Sequence, residues 1–290
     1  MPESDWRPSS LAAQGLGWVD SETGAISPPI HMSSTYQRDA DNRYGTGRIY
    51  IRDENPSFDQ AQALLTRLEG GRAALLFASG MAAATATFMA LKPGDHVVVP
   101  VGMYWALRNW LKTFAEPWGL AIDYIDMTDL DALRRALRPG RTRLVWVETP
   151  ANPMWSITDL AGVAELAHQA GAKVAADSTV ATPVFCRPIE FGVDIVMHSA
   201  TKYLNGHSDI CAGALIAREV DEFWQRIIFN RSKLGAIIGS FEAWLLLRGM
   251  RSLFPRVERS AKSAQALAER LAAHPHIEAV LYPGRKDFPG

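Results

Sequence analysis

The stretch His198-Ser199-Ala200-Thr201-Lys202-Tyr203-Leu204-Asn205-Gly206-His207-Ser208-Asp209 decides how this chain reads. One lysine stands among small hydroxyl residues, just after the apolar run Val193-Asp194-Ile195-Val196-Met197, whose composition predicts a strand. Upstream, Val174-Ala175-Ala176-Asp177 predicts another strand that ends in an acid. Ligands of an open α/β sheet gather at the carboxyl ends of its strands, so Asp177 and Lys202 are expected to face one crevice.

Outward from these two strands, apolar runs alternate with helical patterns. Strands are predicted at 73–78, 96–100, 121–125, 143–148, 173–176, 193–197 and 212–217. Helices are predicted from Ser57, with Phe58, Ala61, Leu64, Leu65 and Leu68 on one face and Gly70-Gly71 as the stop, and over 81–91, 241–248 and 260–273. Uninterrupted apolar strands separated by helices imply an α/β fold, a mostly parallel sheet covered on both faces. Residues 1–54 are rich in Ser, Pro, Gly and Asp without a sustained helical period and read as an extended N-terminal arm. Residues 55–250 then form the main domain. Residues 251–290 open a second domain, in which Glu278 to Tyr282 is the expected first strand.

A chain of 290 residues can bury a large core. Its 30 basic and 31 acidic residues nearly cancel, which argues against nucleic acid or an anionic membrane as partner. Two cysteines, Cys186 and Cys211, make no disulfide framework. The N-terminus lacks a basic segment followed by an apolar one, and no apolar run approaches membrane length, so the cytoplasm is the expected compartment. No Gly-x-Gly-x-x-Gly follows a strand and no Walker loop occurs, which leaves nicotinamide and nucleotide readings unsupported. The spacing of His198, His207 and Asp209 fits no zinc signature, and no metal is expected.

A lysine and a carboxylate at one crevice suit pyridoxal phosphate. The lysine bonds its aldehyde and the acid keeps its ring nitrogen protonated, so that the ring draws electrons from a substrate carbon. Ser199 and Thr201 offer hydroxyls for the phosphate, and a helix opening at Gly80-Met81 offers backbone amides.

The chain resembles the pyridoxal-phosphate-dependent enzymes of cysteine and methionine metabolism. The resemblance rests on an ordered set of blocks: Tyr50-Ile51-Arg52 with Asn55-Pro56, Leu68-Glu69-Gly70-Gly71, Ser79-Gly80-Met81-Ala82, Glu148-Thr149-Pro150-Ala151-Asn152-Pro153, Asp177-Ser178-Thr179 and Ser199-Ala200-Thr201-Lys202. It implies the aspartate-aminotransferase-like (type I) fold, with Lys202, Asp177 and Tyr104 in catalysis. Ser79, Gly80, Met81, Ser199 and Thr201 would then surround the phosphate, and Asn152 and Thr179 would bind the ring. Tyr50 and Arg52 match a pair that reaches the phosphate of a neighbouring subunit, which implies a homodimer or homotetramer with shared sites. Ser178 stands where the family commonly has Asn, and Ala106 where methionine γ-lyases carry cysteine. The family's arginine for the substrate carboxylate has no matching position here. The implied activity is γ-replacement on an O-acylhomoserine by cysteine, of the cystathionine γ-synthase type. Elimination by a cystathionine γ- or β-lyase is the alternative, and an inactive scaffold or fragment is a third reading.

Overall fold

Strands that are apolar on both sides need cover on both faces, and that requirement organises the molecule. The computed structural model describes residues 6–288. Its strands are β1 (Ala73–Phe77), β2 (His96–Pro100), β3 (Ala121–Ile125), β4 (Thr142–Glu148), β5 (Lys173–Asp177), β6 (Ile195–His198) and β7 (Gly213–Ala217). They form one sheet in the order β1-β7-β6-β5-β4-β2-β3. The five strands from β2 to β6 pair in parallel, while β7 runs antiparallel to both β6 and β1. The mostly parallel α/β sheet expected from the sequence is present.

The helices are α1 (Pro8–Gln14), α2 (Pro56–Glu69), α3 (Gly80–Met89), α4 (Trp105–Trp110), α5 (Glu116–Trp118), α6 (Leu130–Ala136), α7 (Leu160–Gln169), α8 (Thr182–Phe185), α9 (Glu222–Leu234), α10 (Ser240–Met250) and α11 (Leu253–Ala272). A strand turns alternate side chains to opposite faces. In β4, Val145 and Val147 join a core with Leu64 and Leu65 of α2, Val163 of α7 and Leu246 of α10. Leu144 and Trp146 join the opposite core with Phe88 of α3 and Trp224 of α9. The result is three layers, helix on sheet on helix.

Several local expectations are corrected. The cap of α2 is Asn55, whose side chain accepts the Ser57 amide at 2.8 Å; Pro56 takes the first helical position and Ser57 lies inside the helix. The N-terminal segment is not wholly extended, since α1 buries Leu11 and Ala12 against the body of the protein. Seven residues are too few to display a helical period in the sequence. Helix α11 starts at Leu253, seven residues before the expected Ser260. Residues 278–282 form no strand, because among the described residues no neighbouring strand offers them a ladder; Tyr282 instead donates its hydroxyl to the Ala261 carbonyl of α11 at 3.3 Å.

The register lines up the functional segments. Glu148 pairs with Asp177, Asp177 with Met197, His198 with Ala214, and Gly213 with Phe77. The carboxyl ends of β1, β4, β5 and β6 therefore share one edge with the start of β7. Gly213 makes this close approach possible, because a Cβ there would come within 2.1 Å of the Ser79 carbonyl oxygen that begins α3.

Candidate active site

At that edge a cavity of about 500 Å³ is lined by Ser79, Gly80, Asp177, Ser199, Lys202 and their neighbours. It gathers every nominated site residue except Tyr50 and Arg52.

The acids come first, because strand pairing puts them side by side. Asp177 accepts the Thr179 amide at 3.0 Å and the Thr179 hydroxyl at 2.6 Å, both on Oδ1, which leaves Oδ2 for the cavity. Thr179 in turn accepts the Ser199 amide at 2.8 Å, so one threonine ties the strand-end acid to the segment that carries the lysine. Burial raises the Asp177 carboxyl above its ordinary range, against the pull of Thr179 and of nearby His198. A cation delivered to Oδ2 would reverse that shift. Glu148, buried at the end of β4, is pushed up to about 7 by burial and by the adjacent Asp177, against the pull of two backbone amides.

An anion site adjoins the acids. Ser79 caps α3, its hydroxyl oxygen accepting the Ala82 amide at 3.0 Å and its carbonyl the Ala83 amide at 3.1 Å. The amides of Gly80 and Met81 remain as first-turn donors without an internal acceptor among the described residues, at the positive end of a ten-residue helix. A Cβ at Gly80 would lie 2.8 Å from Ser199 Cβ and 2.9 Å from its hydroxyl, so a side chain there would fill the space where these donors meet. That cradle suits a phosphate.

The lysine sits on a turn between β6 and β7. Thr201 holds the turn, donating its hydroxyl to the Ala212 carbonyl at 3.1 Å and accepting the Ala212 amide at 2.9 Å. This hydroxyl, which also lines the cavity, thereby fixes where Lys202 leaves the chain. Lys202 is exposed, and among the described residues its ammonium has no hydrogen-bond or ion-pair partner. A second, open cavity of about 920 Å³ shares Thr201, Lys202 and Tyr203 and is bordered by α11 at Pro255, Arg256 and Arg259. Lys202 thus borders two adjoining spaces.

The model of the family described as Cys/Met metabolism PLP-dependent enzyme matches residues 10–290. The chain belongs to this family. It is 41% identical over 272 residues to a cystathionine gamma-synthase of Mycobacterium tuberculosis (strain ATCC 25618 / H37Rv), covering 93% of this chain and 70% of that protein. It is 36% identical over 290 residues to the cystathionine beta-lyase MetC of Bacillus subtilis (strain 168), covering 100% of this chain and 74% of the other. The crystal structure of cystathionine gamma synthase from Xanthomonas oryzae pv. oryzae, in complex with aminoacrylate and cysteine, superposes with a TM-score of 0.91 at 37% identity, covering 98% of this chain and 73% of that one. Synthase and lyase alike occur among these relatives, and the chemistry they share is trans-sulfuration. The cofactor of this PLP-dependent enzyme is pyridoxal phosphate, and the acid, amide and lysine groups at the cavity fit it.

Two nominated residues lie elsewhere. Tyr50 and Arg52 stand outside the cavity lining, with the Arg52 guanidinium 5.2 Å from the Tyr50 ring centre. Their segment is pinned to its own subunit next door, where Ser232 bonds the Asp53 carboxylate and the buried Arg231 donates to the Asp53 carbonyl at 3.5 Å. Of the three polar residues around the lysine, His198 stands apart from the other two, which both bond Asn205. His198 is fully buried, 2.6 Å from the buried Glu69 carboxylate at the end of α2. His207 bonds the Asn205 carbonyl at 2.6 Å, and Asp209 accepts the Asn205 side-chain amide at 2.7 Å. Glu148 received no role from the sequence. Its signal was available, an acid ending the apolar run Leu144–Val147 in step with Asp177.

Proposed function

We propose that this enzyme catalyses γ-replacement of the cystathionine γ-synthase type, in which an O-acylhomoserine loses its γ-substituent and cysteine takes its place. The observation that carries this reading is the 41% identity to the mycobacterial synthase over nearly the whole chain. The cysteine named in the Xanthomonas complex supports the thiol acceptor.

The residue roles follow from their atoms. Bound here, the cofactor supplies an electron-withdrawing ring conjugated to the substrate's α-carbon. Lys202 Nζ would hold the cofactor's aldehyde and, when free, would move protons at the substrate's α and β carbons. Asp177 Oδ2 would hold a positive ring nitrogen, and Asn152, Thr179 and Tyr104 would bind and orient the ring. The amides of Gly80 and Met81 with the hydroxyls of Ser79 and Ser199 hold the phosphate, while Thr201 anchors the turn. Purified protein given O-acylhomoserine and cysteine should form cystathionine faster than it consumes cystathionine supplied alone. Faster breakdown of cystathionine than synthesis would overturn the assignment in favour of a lyase.

The same reading makes the site a shared one. Arg52 carries a planar fork suited to phosphate and lies outside its own subunit's cavity, so the phosphate it serves is assigned to a partner subunit. Mixing inactive Arg52→Ala and inactive Lys202→Ala proteins under subunit exchange should restore part of the activity, because one site of each hybrid dimer keeps both residues intact. No recovery, with exchange verified by native mass spectrometry, would mean that Arg52 does not act across the interface.

A further inference from the structure

Two loops meet at the wall of the cavity, one carrying Tyr104 between β2 and α4, the other carrying Asn152 after β4. A single side chain touches both. Glu148 Oε2 accepts the Tyr104 amide at 2.7 Å, and Glu148 Oε1 accepts the Asn152 amide at 3.2 Å. Tyr104 is the residue before the first turn of α4 and has no side-chain cap of its own, so this carboxylate also fixes where that helix begins.

We propose that Glu148 is a positioning residue: one buried carboxylate that clamps the Tyr104 and Asn152 loops together and so fixes the stretch of cofactor-cavity wall that they form. The proposal rests on the cofactor-site reading above and adds to it a part for a residue that does not act on substrate. Each oxygen of Glu148 is taken by one of the two amides, so the group works on backbone. An ionised carboxylate is suited to this, having acceptors on both oxygens, whereas an amide or a protonated acid presents one oxygen and one donor. Asp177, one strand over, is the charged neighbour that opposes ionisation, and burial opposes it further. Holding a costly charge at this point is explained by the two loops it secures, since bonds to a charged acceptor are about twice as strong as neutral ones.

Glu148→Gln tests the clamp, because it keeps the size of the side chain and turns one acceptor toward an amide as a donor. In cofactor-free protein, peptides covering Tyr104 and Asn152 should exchange amide hydrogen faster in the variant, while those covering β5 stay at the wild-type rate. Loaded with pyridoxal phosphate, the variant should keep its visible absorption but change the circular dichroism of that band as the ring environment loosens. Its kcat should fall about 10- to 100-fold with a smaller change in KM, the size of effect expected from displacing reacting groups by about 1 Å. Glu148→Asp, which keeps both acceptors on a shorter stem, should recover part of the loss. Unchanged exchange at both loops, or wild-type kcat, overturns the proposal. So does a variant that melts early or takes up no cofactor, which would make Glu148 a plain stability residue. Wild-type protein without a lysine-dependent absorption band would overturn the cofactor-site reading itself, and that result is seen before any Glu148 variant is made.

Discussion

Lys202→Ala protein is expected to be colourless and unable to turn over. Wild-type protein should show a visible absorption band from the covalent link between Lys202 and the cofactor, and the variant should lack it. The same lysine is assigned the proton transfers, and loss of a positioned acid–base group alone typically costs about 10²- to 10⁴-fold in rate. Losing the covalent anchor as well places the expected result at or beyond the upper end of that range. The structure makes the experiment clean. Lys202 is exposed and unpaired among the described residues, and the turn that carries it is held by Thr201 and Ala212 through bonds that do not involve its side chain. Substitutions at such positions usually change stability by no more than about 0.5 kcal/mol. The variant should therefore melt with wild type while its chemistry disappears. A retained band, or turnover near wild type, would remove Lys202 from the mechanism.

The parts of this site that the sequence disclosed are those whose physics is local. A lysine among hydroxyls, an acid at a strand end and Ser-Gly between a strand and a helix each state their chemistry within a few residues. Strand ends then converge by the general rule for open sheets, which is why Asp177, Lys202 and Gly80 could be grouped before any coordinates. What stayed hidden depends on partners far away in the chain. Glu148 looks like any strand-end acid until the Tyr104 amide, forty-four residues earlier, is found on its carboxylate. His198 could be read as a turn or second-layer group, yet its partner Glu69 lies 129 residues away and both are sealed from solvent.

The fold divides in the same way. Strands β2 and β3 occupy the residues their composition predicts, 96–100 and 121–125, because short stretches rich in Val, Ile and Tyr and bounded by turn residues carry their own limits. The antiparallel direction of β7 has no such signature. It follows from the connection after β6, a turn with no crossover helix of the kind a parallel partner requires. Helix α1 and residues 278–282 are the converse cases, decided by what lies alongside. Leu11 and Ala12 find the body of the protein to bury against, whereas residues 278–282 find no strand among the described residues to pair with.

Asp177→Asn should keep the fold and the cofactor and lose most of the turnover. Both Thr179 bonds end on Oδ1, an oxygen that asparagine also possesses, so the link through Thr179 to the Ser199 amide survives the change. The substitution acts on the other atom, where an anionic acceptor becomes a neutral donor unable to balance a protonated ring nitrogen. An opposite charge at this range commonly shifts a pKa by about 1 to 3 units, so removing it should lower the protonated fraction, and the rate that depends on it, by roughly 10- to 1000-fold. Stability should move the other way. Burial raises the Asp177 pKa, so the folded cofactor-free protein holds this proton more tightly than the unfolded chain. The stability tied to that proton is lost as the pH climbs from the ordinary carboxylate range through the raised value, and asparagine escapes the loss. At neutral pH the cofactor-free variant should melt no lower than wild type, while the loaded variant turns over slowly and binds cofactor through Lys202 as before. Near-normal kcat in protein shown by its absorption to be fully loaded would reduce Asp177 to the turn that its Thr179 bonds describe.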